Sequence, residues 1–257
     1  MISSSRIEVD GRVVYAEHTG GGRAGRAGPP VVLVHGLGLS SRSMRPLLRA
    51  LDEGAGTDST IDGYAIDLPG YGRSADPDRP LRLDGLVAAL VGWLDATGLD
   101  RVALVGNSLG AQLVIMTAAA HPERVSHAVL VGTTRDPRSG GRLGHAARLL
   151  VDGCRERPSL LPVAIRDYLR AGPRQMAALF RQALGQPEEH QLRRVAAPTL
   201  IVRGTRDPIS GSEWNRRIAG LIPNAELVEI AGAPHAVNYS ASVPLAAVIR
   251  SFLDRAG

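Results

Sequence analysis

Six short, nearly unbroken apolar runs recur along this 257-residue chain, at Val31–Val34, 64–66, 102–105, 128–131, 200–202 and 227–230. An apolar run without polar alternation is what a strand buried on both faces requires, and such strands belong to parallel sheets. Most of the gaps between the runs carry helical spacing instead, at 44–51, 83–96, 109–120, 213–221 and 244–253. The 109–120 stretch is apolar almost all round, as a helix packed against a sheet would be. Ahead of the first run, residues 6–10 and 12–17 flank the tight-turn dipeptide Asp10-Gly11 and read as a β-hairpin. The stretch 20–30 reads as a loop. The expected fold class is therefore α/β: a doubly wound, mostly parallel sheet of eight strands with right-handed crossovers. Ligands bind such sheets outside the carboxyl ends of the strands, and chemistry is sought there.

One interval breaks the alternation. About 65 residues separate the run ending near Gly132 from the one beginning near Thr199, and they hold helical patterns at 143–152, 164–169 and 174–184. This spacing predicts an inserted helical cap, 135–194, between two parts of one core, 1–134 and 195–257. Leaving a carboxyl end of the sheet, the cap is expected to lie over the site. It also holds the basic excess of the chain. Residues 135–194 carry 12 Arg against 6 acids, whereas the remainder carries 18 Arg against 19 acids.

Gly106-Asn107-Ser108-Leu109-Gly110 follows the run 102–105 directly and opens the helix at 109. This is a G-x-S-x-G nucleophile elbow in the strand–turn–helix context that the motif needs. Glycines two places either side leave room for a turn that lifts the Ser108 hydroxyl clear of the sheet. The helix N-terminus behind it favours developing negative charge. A serine hydroxyl needs a base. Of seven histidines, His235 follows the last strand on a carboxyl-end loop, Gly232-Ala233-Pro234-His235. His18, His121, His127, His145 and His190 read as packing or solvated residues, and His35 as a loop-shaping side chain. The acid that orients the imidazole is read as Asp207 in Gly204-Thr205-Arg206-Asp207-Pro208, with Asp136 after the preceding strand as the alternative. Asp67 is read as the organiser of its own turn. Oxyanion donors are expected from the backbone N–H groups of Leu109 and of Leu37 in His35-Gly36-Leu37-Gly38. Gly36, Gly38, Asn107 and Val237, which border these groups in the chain, are the expected substrate contacts.

These residues together resemble the α/β-hydrolase superfamily. The resemblance rests on five elements in order: His35-Gly36-Leu37-Gly38, Asp67-Leu68-Pro69-Gly70-Tyr71-Gly72-Arg73-Ser74, the elbow, Gly204-Thr205-Arg206-Asp207-Pro208, and Pro234-His235. Within the superfamily, the elbow and the ending His235-Ala236-Val237-Asn238 look like carbon–carbon hydrolases of aromatic ring-cleavage products. The loop at 35–38 is similar to that of esterases and enol-lactonases. A Ser-Gly-Gly oxyanion loop typical of ring-cleavage hydrolases is absent, and Ser108 stands where epoxide hydrolases and haloalkane dehalogenases carry Asp.

The expected activity is hydrolysis, through an acyl-enzyme, of a small to medium carboxylic ester, lactone, thioester or activated C–C bond. Two alternatives keep the fold: acyl transfer or bond formation in a biosynthetic pathway, and a receptor that uses the pocket only for binding. Neither cofactor nor metal is expected. The expected partner is a small-molecule substrate, anionic or carrier-linked in view of the basic cap. The cap's two aromatics, Tyr168 and Phe180, make no stacking platform, so no nucleic acid is expected. No apolar run reaches membrane-spanning length, the N-terminus lacks a signal-like apolar stretch, and a single Cys154 permits no internal disulfide. These features point to no membrane and to a cytoplasmic location, with Cys154 packed as a small buried residue.

Overall fold

The structure is a computed structural model and describes residues 2–20, 28–53, 61–134, 141–183 and 189–255, with the side chains of 141–143, 145, 146 and 183 excepted. The sheet has eight strands: β1 (Ile2–Val9), β2 (Arg12–Thr19), β3 (Val31–Val34), β4 (Gly63–Asp67), β5 (Val102–Asn107), β6 (Val125–Val131), β7 (Thr199–Gly204) and β8 (Ala225–Ile230). Their order across the sheet is β1-β2-β4-β3-β5-β6-β7-β8. β1 and β2 form the expected hairpin, joined at Asp10 (φ 49°) and Gly11 (φ 74°). Positive φ at both turn residues suits the twist of the flanking strands. β2 pairs antiparallel with β4, and all pairings from β4 to β8 are parallel.

The apolar runs explain themselves once both faces are covered. Val31 and Leu33 enter one core cluster while Val32 and Val34 enter the other; Ala103 and Val105 alternate with Val102 and Leu104 in the same way. Successive side chains of a strand point to opposite faces, so a strand with helices on both sides needs an apolar residue at each position. One face packs α1 (Ser41–Glu53) and α9 (Ser242–Arg255), through Met44, Leu47, Leu48, Leu51, Ile249 and Phe252. The other packs α2 (Leu83–Thr97), α3 (Leu109–Ala120) and α7 (Ser212–Leu221), through Leu86, Leu90, Trp93, Val114 and Ile218.

Between β6 and β7 lie α4 (Gly141–Gly153), α5 (Leu160–Ala183) and α6 (Glu189–Arg193). The two patterns read at 164–169 and 174–184 fall in the two helical segments that make up α5, separated by non-helical backbone at Gly172 (φ 73°, ψ 154°) ahead of Pro173. Proline cannot supply the N–H that a continuous helix uses, so the break falls where the sequence looked interrupted; residue 184 lies outside the described residues. Short α8 (Val237–Ser240) follows the His235 loop. Among the described residues, no helix is long and apolar enough to cross a membrane.

Leu33 sits at the centre of the sheet with none of its surface exposed. Leu33→Ala is expected to lower unfolding free energy by about 2–5 kcal/mol, read from urea denaturation.

Candidate active site

Ser108 stands between β5 and α3 with φ 57° and ψ −114°, one of two non-glycine residues at positive φ among those described. Such a conformation costs on the order of 1–3 kcal/mol and persists only where the surroundings enforce it. The surroundings here are backbone. A Cβ on Gly106 would lie 2.2 Å from the carbonyl of Gly110, and one on Gly110 would lie 2.1 Å from Val34 O and 2.9 Å from His35 O. The Ser108 N–H donates to Val131 O at 2.9 Å, fixing the turn against the end of β6. Leu109, the first residue of α3, has one of the amides that a helix start leaves without an intrahelical partner.

His235 and Asp207 come together across the ends of β8 and β7. His235 Nδ1 lies 2.8 Å from Asp207 Oδ2, with both side chains almost wholly buried. The other carboxylate oxygen, Asp207 Oδ1, accepts from the N–H groups of Ile209 (2.7 Å) and Ser210 (3.0 Å). That satisfies the carboxylate and orients it toward the ring. Burial pushes the Asp207 carboxyl up, but the His235 charge and hydrogen bond and the two amides hold it below the usual carboxylate range. Burial pushes the His235 imidazole down; the charge and hydrogen bond of Asp207, then the charges of Asp152 and Glu156, outweigh it and raise it to about 9. His235 Nε2 is buried and has no hydrogen-bond partner among the described residues. Behind the acid, Thr133, Ser210 and Asn215 form a buried network: Thr133 Oγ1 donates to Asn215 Oδ1 (2.8 Å) and Asn215 Nδ2 to Ser210 Oγ (2.8 Å).

The loop His35-Gly36-Leu37-Gly38 runs beside the elbow, since a Cβ on Gly36 would reach Ser108 Cβ at 3.4 Å. His35 is fully buried: its Nε2 accepts from Leu68 N–H at 3.2 Å and its Nδ1 faces Gly36 O at 2.8 Å. This is the neutral tautomer with the proton on Nδ1, consistent with burial lowering its proton affinity. Asp67 reaches further than its own turn, accepting from Arg73 N–H (2.7 Å) and from Ser41 N–H at the start of α1 (2.6 Å). The two loops are thereby tied together under the elbow. The inserted helices close the top: at Gly38 (φ 75°) a Cβ would strike the Tyr168 ring at 2.4 Å and Met176 Cε at 2.6 Å.

Several expected contacts have other work. Val237 is fully buried and packs in the core on the α1/α9 side. Asn107 is also buried, and its amide donates to His235 O (3.2 Å) and Val131 O (3.4 Å), bracing the loop that carries His235. Cys154 is exposed, not packed: the turn that aims Asp152 and Glu156 inward sends the three residues between them outward. Asp136 lies outside the described residues, as do residues 21–27 of the loop at 20–30 and the side chain of His145. His127 packs edge-on against Phe252 (5.5 Å between centroids) and His18 lies against Tyr64 (5.9 Å), while His190 is exposed on α6. The sequence reading missed the carboxylates of Asp152 and Glu156, which accept from the N–H groups of His235 (3.0 Å) and Ala236 (2.6 Å). Their helical spacing from Arg148 was visible; their partners, some 80 residues away, were not. Among the described residues no cluster of side chains could hold a metal.

Because the atoms nearest to a Cβ on Gly110 are backbone, which cannot swing aside, Gly110→Ala is expected to displace the elbow from β3. Thermal unfolding should fall by several degrees or more, and labelling of Ser108 by a fluorophosphonate should be lost.

Known proteins agree with this architecture. The alpha/beta hydrolase family model matches residues 31–250. Polyketide synthase ThaQ of Burkholderia thailandensis is 32% identical over 93% of this chain, which spans only 12% of the length of that protein. Pimeloyl-[acyl-carrier protein] methyl ester esterase of Xanthomonas campestris is 28% identical, the match covering 81% of this chain and 88% of the esterase. Among solved structures, the enol-lactonase from Burkholderia xenovorans superposes with a TM-score of 0.80 at 21% identity, covering 97% of this chain and 100% of the lactonase. With its family model, its eight-stranded sheet and its elbow in agreement, this chain belongs to the alpha/beta hydrolase family.

Proposed function

We propose that the protein is a serine hydrolase that cleaves a small to medium carboxylic ester, lactone or thioester through a covalent acyl-enzyme. One observation carries this reading: His235 is held at Nδ1 by Asp207, 2.8 Å away, while its Nε2 is buried with no hydrogen-bond partner among the described residues. In the proposed cycle, Ser108 Oγ attacks the substrate carbonyl carbon and its proton passes to His235 Nε2. The backbone N–H groups of Leu37 and Leu109 bind the oxyanion of the tetrahedral intermediate. The leaving group departs with the proton from Nε2. Water then attacks the acyl-enzyme, giving its proton to Nε2, and the returning proton restores Ser108 as the acid is released. Asp207 holds the imidazole in the tautomer with its proton on Nδ1 and stabilises the cation that forms at each step. Gly36 and Gly38 let the loop backbone approach the substrate, beneath Tyr168 and Met176. An activated C–C bond is open to the same attack where the leaving carbanion is stabilised.

A second reading, acyl transfer with an acceptor other than water, is supported by the match to a segment of a polyketide synthase. The resemblance to an esterase acting on an acyl-carrier-protein ester favours a carrier-linked substrate under either reading. Partitioning of the acyl-enzyme between water and added alcohols or amines separates the two.

Ser108→Ala is expected to lower kcat on p-nitrophenyl esters by on the order of 10⁴-fold or more while the protein stays folded; undiminished turnover would remove Ser108 from the reaction. The base must be neutral to accept a proton. With His235 raised to about 9, kcat/KM of the free enzyme should climb with pH through the mildly alkaline range and level off above it. Asp207→Asn should shift that limb to lower pH and reduce the plateau by on the order of 10³–10⁴-fold.

A further inference from the structure

The stretch from α4 into the turn after it holds both loops of the His–Asp pair. Arg148 Nη1 donates to Pro208 O at 3.0 Å and Arg155 Nη1 to Arg206 O at 2.7 Å, so the carbonyls either side of Asp207 are held by cations. The base loop is held by anions. Asp152 Oδ1 accepts from the His235 N–H at 3.0 Å, and Glu156 Oε1 accepts from the Ala236 N–H at 2.6 Å while its Oε2 accepts from Ser240 Oγ at 2.5 Å. Residues 148, 152 and 156 are spaced four apart, and the N–H groups of Arg155 and Glu156 both return to Asp152 O (2.7 and 3.0 Å). The helical winding therefore continues past Gly153 and keeps the three side chains on one face.

Anchoring a helix to two amides needs only an acceptor, and Asn, Gln or a backbone carbonyl would serve without the penalty of burying charge. Two carboxylates are favoured where positive charge develops beside them, and the imidazole of His235 is the group that becomes positive. We propose that Asp152 and Glu156 are positioning residues for the reaction: they fix the backbone of the base loop and, with Asp207, stabilise the imidazolium of His235. The inserted helices are thereby part of the base as well as its roof. This rests on the serine-hydrolase reading above. The ionisable groups acting on the imidazole are Asp207 from the turn after β7, Asp152 from α4 and Glu156 from the turn after it. Tyr168 of α5 lies in the field of Asp152, and from the β5–β6 side the Asn107 amide and Gly132, neither of which titrates, lie against His235. Burial raises the proton affinity of both carboxyls, that of Glu156 to about 7 despite the hydrogen bonds from Ser240 and Ala236.

The test compares wild type with Asp152→Asn, Asp152→Ala and Glu156→Gln. The His235 imidazole is titrated by NMR, kcat/KM is profiled against pH on a p-nitrophenyl ester, and thermal unfolding is recorded for each. The Asn and Gln variants retain an acceptor for the loop amide but lose the charge. They should lower the His235 midpoint by on the order of one pH unit, a tenfold loss of proton affinity, and move the acid limb of kcat/KM with it. Asp152→Ala removes the acceptor too, and should also lower the plateau kcat by about tenfold with little change in KM. A merely structural anchor would lower the unfolding temperature and leave the titration where it was; that result, or an unmoved midpoint in both charge-removing variants, overturns the proposal. If Asp152→Asn does not fold, Glu156→Gln at its half-buried position decides by the same titration. The NMR midpoint does not depend on turnover. A wild type whose Ser108 is neither labelled by phosphonate nor needed for turnover would therefore overturn the hydrolase reading by itself, distinguishably from an unmoved midpoint.

Discussion

The first turn of α3 passes the end of β3 so closely that Gly110 has Val34 O where any side chain would have to begin. Much of the site depends on that approach. It forces Ser108 to a positive φ, brings the Ser108 N–H onto Val131 O, and sets the loop 35–38 alongside the elbow. Two strands and a helix therefore meet here with backbone as the nearest neighbour. The backbone strain at Ser108 is held there by the packed sheet beneath, whose central strands β3 and β5 bury every side chain.

Electrostatics completes what packing begins. His235 and Asp207 project from the ends of different strands, β8 and β7, and their loops are tied by the 2.8 Å contact between the two side chains, by the Arg206 N–H to Ala233 O (3.0 Å) and by the Gly232 N–H to Thr205 Oγ1 (2.8 Å). Ile209 and Ser210 amides secure Asp207 from within its turn, and the Asn107 amide braces the His235 loop from the elbow side. The stretch 148–156 then supplies opposite charges to the two loops, cations to carbonyls and anions to amides. The basic excess of the inserted segment acquires a use in this light. Arg148 and Arg155 hold the acid turn, and Arg170 pairs with Asp76 and with Ser74 O on the loop after β4.

How much was legible beforehand follows from the range of each interaction. The strands were readable because burial on both faces removes polar alternation, as Val31–Val34 illustrates. The elbow was readable because its demands fall on five consecutive residues, and Asp67 because a carboxylate capping its own turn acts over a few positions. Val237 was less legible, because adjacency to His235 in the chain does not fix where a side chain points; α8 begins there, and its first side chain packs in the core. At Cys154 the preference of the residue type for burial yields to a turn that points outward.

The chain by itself determined the alternation of strands and helices, the placement of Ser108 on a strained turn, and the supply of a histidine and an acid at carboxyl ends of the sheet. Those properties come from periodicity, glycine and short-range sterics, which act between neighbours. Only the tertiary structure decided that His235 faces Asp207, that His35 Nε2 takes the Leu68 amide, and that Asp152 and Glu156 hold the base loop. Each of these joins residues from 28 to 83 positions apart. A hydrogen bond requires partners within about 3 Å, and no local pattern records which distant loop the folding of the sheet will bring to that distance.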